Sequence, residues 1–304
     1  MEIVKTGMIK VAIVGYGNVG ECVLAAIEAS PDMVCVGVVC ESCVTDCPWG
    51  LRPYKIVTDI RELGEVDVAI LSVPSRCCED LARKYLEWGI NTVDSFDIHD
   101  QILDYRATLH PIAREHGVVA VISAGWDPGT DSMIRVLMEA MAPKGITYTN
   151  FGPGRSMGHS VVARSKPGVR DALAMTIPLG EGLHRRMVYV ELEKGADLEQ
   201  VTAAIKSDDY FVHDETHVIA VQSVDDINNV AHGVHLIRHG VSGKTHSQYF
   251  EYKMRINNPA LTAQVLVSLA RAALRQRPGC YTMIEIPVID MLHGDRREII
   301  RRLV

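Results

Sequence analysis

Apolar residues follow two different patterns in the two parts of this chain. Over the first 125 residues, continuous apolar runs such as IKVAIVG (9–15) and VDVAILSVP (66–74) alternate with stretches whose apolar residues recur at helical spacing. Continuous apolar strands that alternate with helices are typical of a parallel sheet covered on both faces. This part therefore predicts an α/β fold with a doubly wound, Rossmann-type parallel sheet.

After Trp126 the strands alternate apolar and polar positions, and one helix is predicted among them, at residues 196–208. The predicted strands are MVYVELEKG (187–195), THVIAVQSV (216–224), GVHLIRHG (233–240) and SQYFEYKMRIN (247–257). Strict alternation indicates one buried and one hydrated face, as in an antiparallel sheet. The pattern predicts a second, α+β domain with a mainly antiparallel sheet.

The last long helical pattern, residues 258–277, starts at Pro259 and stops before Pro278-Gly279, and we expect it to pack back on the first domain. The predicted division is a dinucleotide-binding domain of residues 1–125 and 259–304, and a second domain of residues 126–258.

Composition and charge exclude several classes of protein. The 304 residues are 47% apolar and 23% charged, which is typical of a soluble globular protein. A net charge of −7 argues against nucleic acid as a partner, since proteins that bind it present a basic face to the phosphates. No apolar run has the roughly 18 to 20 residues that span a bilayer, and MEIVKTGMIK lacks a signal-peptide pattern. We therefore expect a cytoplasmic protein with no membrane partner.

Eight cysteines in a reducing compartment should be thiols. They are Cys22, Cys35, Cys40, Cys43, Cys47, Cys77, Cys78 and Cys280. The cluster Cys40-x-x-Cys43-x-x-x-Cys47 has the spacing of a zinc or redox site, but zinc needs a fourth ligand and none follows before Cys77. No metal is expected, and these cysteines fit a loop that covers the adenine.

Residues 15–20, Gly-Tyr-Gly-Asn-Val-Gly, match the pattern G-x-G-x-x-G between a predicted strand and a predicted helix. In that context the first glycine makes the tight turn, the second lets a pyrophosphate approach the backbone, and the third lets helix and strand pack closely. The helix N-terminus then offers free N–H groups to the phosphates. The residues expected to contact the dinucleotide are Gly15, Tyr16, Gly17, Asn18, Val19, Cys40, Glu41, Ser42, Ser72, Pro74 and Ser75.

Glu41 follows the predicted second strand, residues 33–39, and lies 21 residues after Gly20. A carboxylate there accepts hydrogen bonds from the ribose hydroxyls and repels a 2′-phosphate, which favours NAD over NADP. Two alternatives stay open: Glu41 points to solvent, or Arg52 or Arg76 supplies the charge that a 2′-phosphate needs.

Four segments carry a resemblance to a known family: TVDSFDIH (92–99), SAGWDPG (123–129), NFGPGRSMGHS (150–160) and RINNP (255–259). Together they resemble meso-diaminopimelate dehydrogenase, over almost the whole chain. The resemblance implies reversible oxidative deamination of the D-centre of meso-2,6-diaminopimelate to L-2-amino-6-oxopimelate and ammonia, in lysine and cell-wall precursor metabolism. It also implies NADP as the usual cofactor, a second domain for substrate binding and oligomerisation, and a homo-oligomer, dimer or hexamer.

Carried over residue by residue, the family's contacts to the reacting D-amino centre fall on Asp97, Trp126, Asp127, Met157 and Gly158. Those to the distal L-centre fall on Thr176, Arg186, His232 and Asn258, with Phe151 as an aromatic wall. Two departures stand out. Phe151 and Met157 replace the tryptophan and glutamine of some members, which suggests wider substrate tolerance, and Cys40-Glu41-Ser42 replaces a basic pair of members that use NADP.

The substrate carries an ammonium and a carboxylate at each end, so its site needs anions and cations in separate places. Asp97 and Asp127 are the candidate catalytic anions at the reacting nitrogen, which must lose a proton before hydride can leave the adjacent carbon. Which aspartate is the base stays open. Arg186, helped by Thr176 and His232, suits the far carboxylate because a guanidinium holds it through two bonds.

Each candidate also has a purely structural alternative. Asp127 before Pro128 is a common helix start, Asp97 can bond to its own turn, and Asn258 before Pro259 can cap the last long helix. The histidines at 232, 235, 239 and 246 resemble a metal set, but only His235 and His239 share a face of the predicted strand.

Three other functions were considered for this sequence. One is a D-amino acid dehydrogenase of broader range on the same fold. A reductase of the dihydrodipicolinate type lacks support because that family's motif of paired histidines and a lysine is absent. A third is a nucleotide-binding redox sensor that uses Cys40, Cys43 and Cys47.

Overall fold

A computed structural model describes residues 7–227 and 231–304. The strands are β1 (Ile9–Val14), β2 (Met33–Val39), β3 (Ile56–Val57), β4 (Val68–Leu71), β5 (Asn91–Asp94), β6 (Val119–Ile122), β7 (Lys144–Phe151), β8 (Gly154–Ser156), β9 (Val169–Gly180), β10 (Leu183–Leu192), β11 (Glu215–Ala220), β12 (Ala231–Ser242), β13 (Thr245–Asn257) and β14 (Gly279–Thr282). The α-helices are α1 (Asn18–Glu28), α2 (Glu41–Thr45), α3 (Ser75–Glu87), α4 (Ile102–Glu115), α5 (Thr130–Met141), α6 (Met157–Arg164), α7 (Leu198–Lys206), α8 (Asn258–Ala273) and α9 (Arg296–Leu303).

The chain divides into two compact units. Unit 1 comprises the residues up to Ser132 together with Pro259–Val304, and unit 2 comprises Met133–Asn258. The first division falls inside α5, whereas the sequence analysis places it after residue 125. In the described residues, no helix combines the length and the apolar content needed to cross a membrane.

Unit 1 is built on a seven-stranded parallel sheet with the order β14-β6-β5-β4-β1-β2-β3. Every residue of β4 and β6 is buried. That explains their continuous apolar sequences, because helices cover both faces of such a sheet. The predicted Rossmann-type fold is confirmed. Its two edge strands, β3 and β14, were not predicted, since each is only two to four residues long and carries no alternation to read.

Unit 2 contains two sheets. The four-stranded sheet has the order β11-β10-β9-β8, in which β10 and β11 run parallel and the other pairs antiparallel. The antiparallel three-stranded sheet has the order β13-β12-β7. The mainly antiparallel character is confirmed, but the strands between residues 144 and 180 were not predicted. The core of the unit lies where apolar residues of α6, α7, β9 and β10 meet around Phe211.

Candidate active site

The glycine turn joins β1 to α1 in unit 1 and has the geometry of a dinucleotide cradle. Gly15 has φ +87°, and a side chain there would bring its Cβ to 2.6 Å from the carbonyl oxygen of Ser72. A Cβ at Gly20 would overlap the carbonyl oxygen of Gly15, whereas the space within 4 Å of a Cβ at Gly17 is open. The first and third glycines are therefore required by packing, and the second leaves room beside the N-terminus of α1 for a pyrophosphate.

The ends of β4 and α3 border this turn. The backbone N–H of Ser72 donates to Val14 at 2.7 Å, and its buried Oγ has no hydrogen-bond partner in the described part of the chain. A buried hydroxyl without a partner normally costs free energy, so it indicates a place where a bound group completes the bonding. Pro74 follows in the same loop as an exposed residue, immediately before Ser75 opens α3. These residues fit a nicotinamide dinucleotide.

The segment after β2 differs from its prediction. Cys40 and Cys43 are joined by a disulfide, so the expectation of free thiols is wrong for these two residues. The physical reason is local: Cys40 is the N-cap of α2, and one helical turn brings the two Cα atoms to 5.3 Å, within the range that a disulfide spans. Glu41 and Ser42 lie inside the closed loop, and Glu41 is exposed. The other six cysteines of the described residues are free.

Tyr16 and Arg52 lie around the same corner of unit 1. A Cβ at Gly50 would lie 3.2 Å from the Tyr16 hydroxyl, so Tyr16 reaches the turn that carries Trp49. The Arg52 guanidinium lies 4.1 Å from the centre of the Trp49 ring, which is an attractive cation–π contact. Arg52 is thus held on the indole of Trp49.

Asp97 lies in the loop after β5, where it is tied to the start of α3. The Ser75 hydroxyl donates to Asp97 Oδ1 at 2.6 Å and accepts from the Asp97 backbone N–H at 3.1 Å. The two bonds orient the carboxylate. Ser75, predicted as a cofactor contact, also positions a predicted catalytic residue.

Asp94 is a buried carboxylate that sequence reasoning missed. It accepts hydrogen bonds from the Tyr105 hydroxyl at 2.7 Å, from Phe96 N–H at 3.0 Å and from Ser123 N–H at 3.2 Å. Burial raises the pKa of Asp94 to about 6, although the three hydrogen bonds oppose this rise. Asp94 thereby joins the loop of Asp97 to the turn at Ser123. Its signal in the sequence is an acid at the end of an otherwise apolar strand, TVD.

Trp126 and Asp127 lie in the loop between β6 and α5. Trp126 is buried, and Asp127 Oδ1 lies 4.0 Å from His99 Nε2. The Asp127–Pro128 peptide bond is cis, and α5 begins only at Thr130. Asp127 is therefore not the N-cap of that helix, and the structural alternative for it is wrong. Asp94 also bonds to its own turn, since its Oδ1 accepts from the backbone N–H of Phe96 at 3.0 Å.

In unit 2, Arg186 lies at the centre of a polar cluster. It is opposite Thr176 in the antiparallel pair β9–β10, so both side chains project from the same face of the sheet. Arg186 Nη1 donates to Thr176 Oγ1, and Arg186 Nε donates to Asp214 Oδ2 at 2.6 Å. Thr176 and Arg186 were predicted from the sequence, whereas Asp214, which lies 28 residues from Arg186 along the chain, was not.

Three histidines near Arg186 are neutral at pH 7. Burial, with a further contribution from Arg186, lowers the pKa of His159 to about 3 and that of His184 by a smaller amount. Burial also lowers the pKa of His232 to about 4. His232 Nδ1 lies 2.7 Å from the backbone nitrogen of Gly233 and 3.1 Å from its carbonyl oxygen, so the backbone of Gly233 holds the ring in place.

The remaining predicted residues of unit 2 lie on three elements. Phe151 ends β7, its backbone N–H donates to His184 Nε2 at 2.8 Å, and its ring centre lies 5.3 Å from that of His184. Met157 and Gly158 open α6. Asn258 is the first residue of α8, and its Nδ2 donates to the carbonyl of Arg155 at 3.0 Å.

The structure gives the histidines on β12 and β13 partners other than a metal. His235 Nε2 is 2.6 Å from Glu251 Oε1, and the rings of His239 and Tyr249 are 5.0 Å apart. Over residues 7–227 and 231–304, no group of three or more His, Cys, Asp or Glu side chains is arranged to hold a metal ion.

Comparisons with known proteins show which proteins this chain is similar to. Residues 125–186 match the model of a family described as "Diaminopimelic acid dehydrogenase C-terminal domain". The chain is 60% identical over 296 residues to the meso-diaminopimelate D-dehydrogenase of Bacteroides fragilis, covering 97% of this chain and 99% of the relative.

Two solved structures are also similar over nearly the full length. One is the C. glutamicum DAP dehydrogenase in complex with DAP, with a TM-score of 0.87, 30% identity, and coverage of 98% of this chain and 100% of that chain. The other is an engineered D-amino acid dehydrogenase bound to NADP+, with a TM-score of 0.87, 29% identity and the same coverage.

Proposed function

The chain belongs to the meso-diaminopimelate D-dehydrogenase family, and from that premise we propose how its own residues carry the reaction. It is an oxidoreductase that acts on a CH–NH2 group: the D-centre of meso-2,6-diaminopimelate is oxidatively deaminated to L-2-amino-6-oxopimelate and ammonia, reversibly. The observation that carries the residue assignment is the segregation of charge, with carboxylates on loops of unit 1 and a guanidinium among neutral histidines in unit 2.

Asp97 and Asp127 serve the reacting D-centre. A nicotinamide dinucleotide held at the glycine turn would supply the acceptor for the hydride of this centre. The two carboxylates hold the adjacent ammonium and accept its proton, so that the nitrogen lone pair becomes available. Ser75 keeps Asp97 oriented through its bond of 2.6 Å. Trp126, Met157 and Gly158 are the other residues that we propose to contact this centre.

The distal L-centre is held by the cluster around Arg186. The guanidinium and the Thr176 hydroxyl bind the far carboxylate, and His232 adds a polar contact as a neutral imidazole. Asn258 adds a polar contact and Phe151 an apolar wall. Since carboxylates recognise one end of the substrate and a guanidinium the other, the correct Cα is presented for oxidation.

The nicotinamide dinucleotide is preferentially NAD. The exposed carboxylate of Glu41 opens α2 at the end of β2, inside the loop closed by the Cys40–Cys43 disulfide. This carboxylate suits two ribose hydroxyls and repels a 2′-phosphate. The similar engineered dehydrogenase is bound to NADP+. The proposed preference of this chain for NAD therefore rests on its own residues at the end of β2 and not on that similarity.

We further propose a homo-oligomer, dimer or hexamer, that acts in the cytoplasm. Ile146 and Tyr249 stand exposed on β7 and β13, and apolar surface of this kind is often covered by another subunit. Light scattering on protein eluted from a size-exclusion column measures the number of subunits in the assembly. Fractionation of cells measures whether the protein is in the cytoplasm.

One assay tests the proposed function. The purified chain is incubated with the meso, LL and DD isomers of 2,6-diaminopimelate, each with NAD and with NADP, and cofactor reduction is followed at 340 nm. We expect turnover of the meso isomer, with a higher kcat/KM for NAD. Absence of turnover of the meso isomer with either cofactor would contradict the function, and faster oxidation of simple D-amino acids would favour a broader dehydrogenase.

A further inference from the structure

Arg186 is bound to a carboxylate that the proposed function does not use. Its Nε donates to Asp214 Oδ2 at 2.6 Å, while the other end of the guanidinium reaches Thr176. The Arg186 side chain is 14% exposed and that of Asp214 is 24% exposed. Both charged groups are thus largely enclosed, yet each keeps a surface that a ligand can reach.

The segment before β11 holds Asp214 in place. The backbone N–H of Asp214 donates to the carbonyl of Phe211 at 3.1 Å, and Thr216 Oγ1 donates to the carbonyl of Asp214 at 3.2 Å. Phe211 is 1% exposed, and its ring centre is 5.0 Å from that of His159 in an edge-on contact. The position of the carboxylate is therefore set by the fold before a ligand arrives.

The charges around this cluster are easily counted among the described residues. His159, His184 and His232 are neutral, and the nearby carboxylate of Asp208 forms an ion pair with Lys166 at 2.7 Å. The carboxylate bonded to the Arg186 guanidinium is that of Asp214. Such a pair matches an α-amino acid, whose carboxylate and ammonium are attached to the same carbon.

We propose that Asp214 binds the ammonium of the distal L-centre and so selects 2,6-diamino diacids over 2-amino diacids; this inference rests on the proposed function. Oδ2 stays on Arg186 Nε, which holds the guanidinium toward the distal carboxylate. Oδ1, which accepts no hydrogen bond from residues 7–227 or 231–304, receives the ammonium. A buried ammonium without an acceptor is strongly disfavoured. The Asp214 carboxylate therefore favours the substrate that carries a distal ammonium.

The test compares two substrates that differ only at this group. D-2-aminopimelate has the reacting D-centre and both carboxylates of meso-diaminopimelate but lacks the distal ammonium. Asp214→Asn keeps an oxygen acceptor for Arg186 Nε and removes the charge. Asp209→Asn makes the same charge change at an exposed position of the same segment and serves as the control.

We expect the unmodified enzyme to prefer meso-diaminopimelate by about 10- to 100-fold in kcat/KM, the range of a charge-assisted hydrogen bond. Asp214→Asn should lower kcat/KM for meso-diaminopimelate by a similar factor while changing that for D-2-aminopimelate less than about threefold. Asp209→Asn should leave both values unchanged.

Equal losses on the two substrates in Asp214→Asn would show that Asp214 acts only through Arg186 and would overturn the proposal. So would equal kcat/KM values for the two substrates in the unmodified enzyme, a comparison that does not require the variant to fold. Failure of the unmodified enzyme to oxidise meso-diaminopimelate is a different result, since it contradicts the proposed function itself.

Discussion

Asp94 allows a direct test of how burial shifts a pKa and changes stability with pH. Its carboxylate is buried, and none of its three hydrogen-bond donors is cationic. It is 0% exposed, and burial raises its pKa from the ordinary 3.8 to about 6. In Asp94→Asn the amide oxygen can accept from Phe96 and Ser123, and the amide nitrogen can donate to the Tyr105 hydroxyl. The substitution therefore removes the charge and preserves the shape and the hydrogen bonds.

The sign and size of the effect follow from proton linkage. Between pH 4 and 6 the unfolded chain has released the Asp94 proton while the folded protein still holds it. The free energy of unfolding therefore falls as pH rises through this interval. A pKa rise from 3.8 to about 6 corresponds to about 3 kcal/mol at pH 7. Asparagine does not titrate, so Asp94→Asn should avoid this loss.

Urea unfolding of both proteins at several pH values between 4 and 8 measures the difference, in which the titrations of other groups cancel. Relative to the unmodified protein, Asp94→Asn should gain about 2.4 kcal/mol as pH rises from 4 to 7, since about 0.6 kcal/mol of the full effect is already present at pH 4. As a comparison, Tyr105→Phe removes one donor and should cost about 1–3 kcal/mol. Because the Tyr105 hydrogen bond lowers the pKa of Asp94, its loss should raise that pKa further and make the fall of stability with pH larger. A difference between Asp94→Asn and the unmodified protein that does not change with pH would refute the reasoning.

Three further expectations concern the distal clamp, the cofactor and the core of unit 2. Arg186→Ala should raise KM for meso-diaminopimelate about 100-fold with a much smaller change in kcat, and an unchanged KM in initial-rate measurements would remove Arg186 from the site. Glu41→Arg should raise the ratio of kcat/KM for NADP to that for NAD at least about 10-fold, whereas an NADP preference in the unmodified enzyme would contradict the role of Glu41. Phe211→Ala should lower the free energy of unfolding, measured in urea, by about 3–5 kcal/mol. The control Val212→Ala, at a position 54% exposed, should change it by less than about 0.5 kcal/mol. Equal effects of the two substitutions would contradict the anchoring of this segment by Phe211.

Strands and helices with a clear periodicity were predictable. Residues 33–39 were predicted as a strand and form β2 with the same bounds, and the helix predicted at 196–208 is α7 (Leu198–Lys206). The strands that were missed, β3, β14 and those between residues 144 and 180, are either too short to show a period or carry mixed burial patterns. Their state is set by the neighbouring strand that they pair with, which a local pattern does not contain.

The cysteines also show that a sequence pattern does not contain the geometry on which a bond depends. The spacing of Cys40 and Cys43 was visible, and the thiol expectation came from the compartment, not from geometry. Only the start of α2 at Cys40 brings the Cα atoms to 5.3 Å.

By itself the sequence determined the class of the fold, the glycine turn, the acidic residue after β2 and the segments that carry the family resemblance, because each depends on residues close together along the chain. Tertiary structure alone decided which side chains work as pairs. Asp94 accepts a hydrogen bond from Ser123 across 29 positions, Arg186 donates to Asp214 across 28, and Ser75 donates to Asp97 across 22. Such pairs leave no periodic trace, since a buried charge needs a partner in space and the chain is free to supply it from any element.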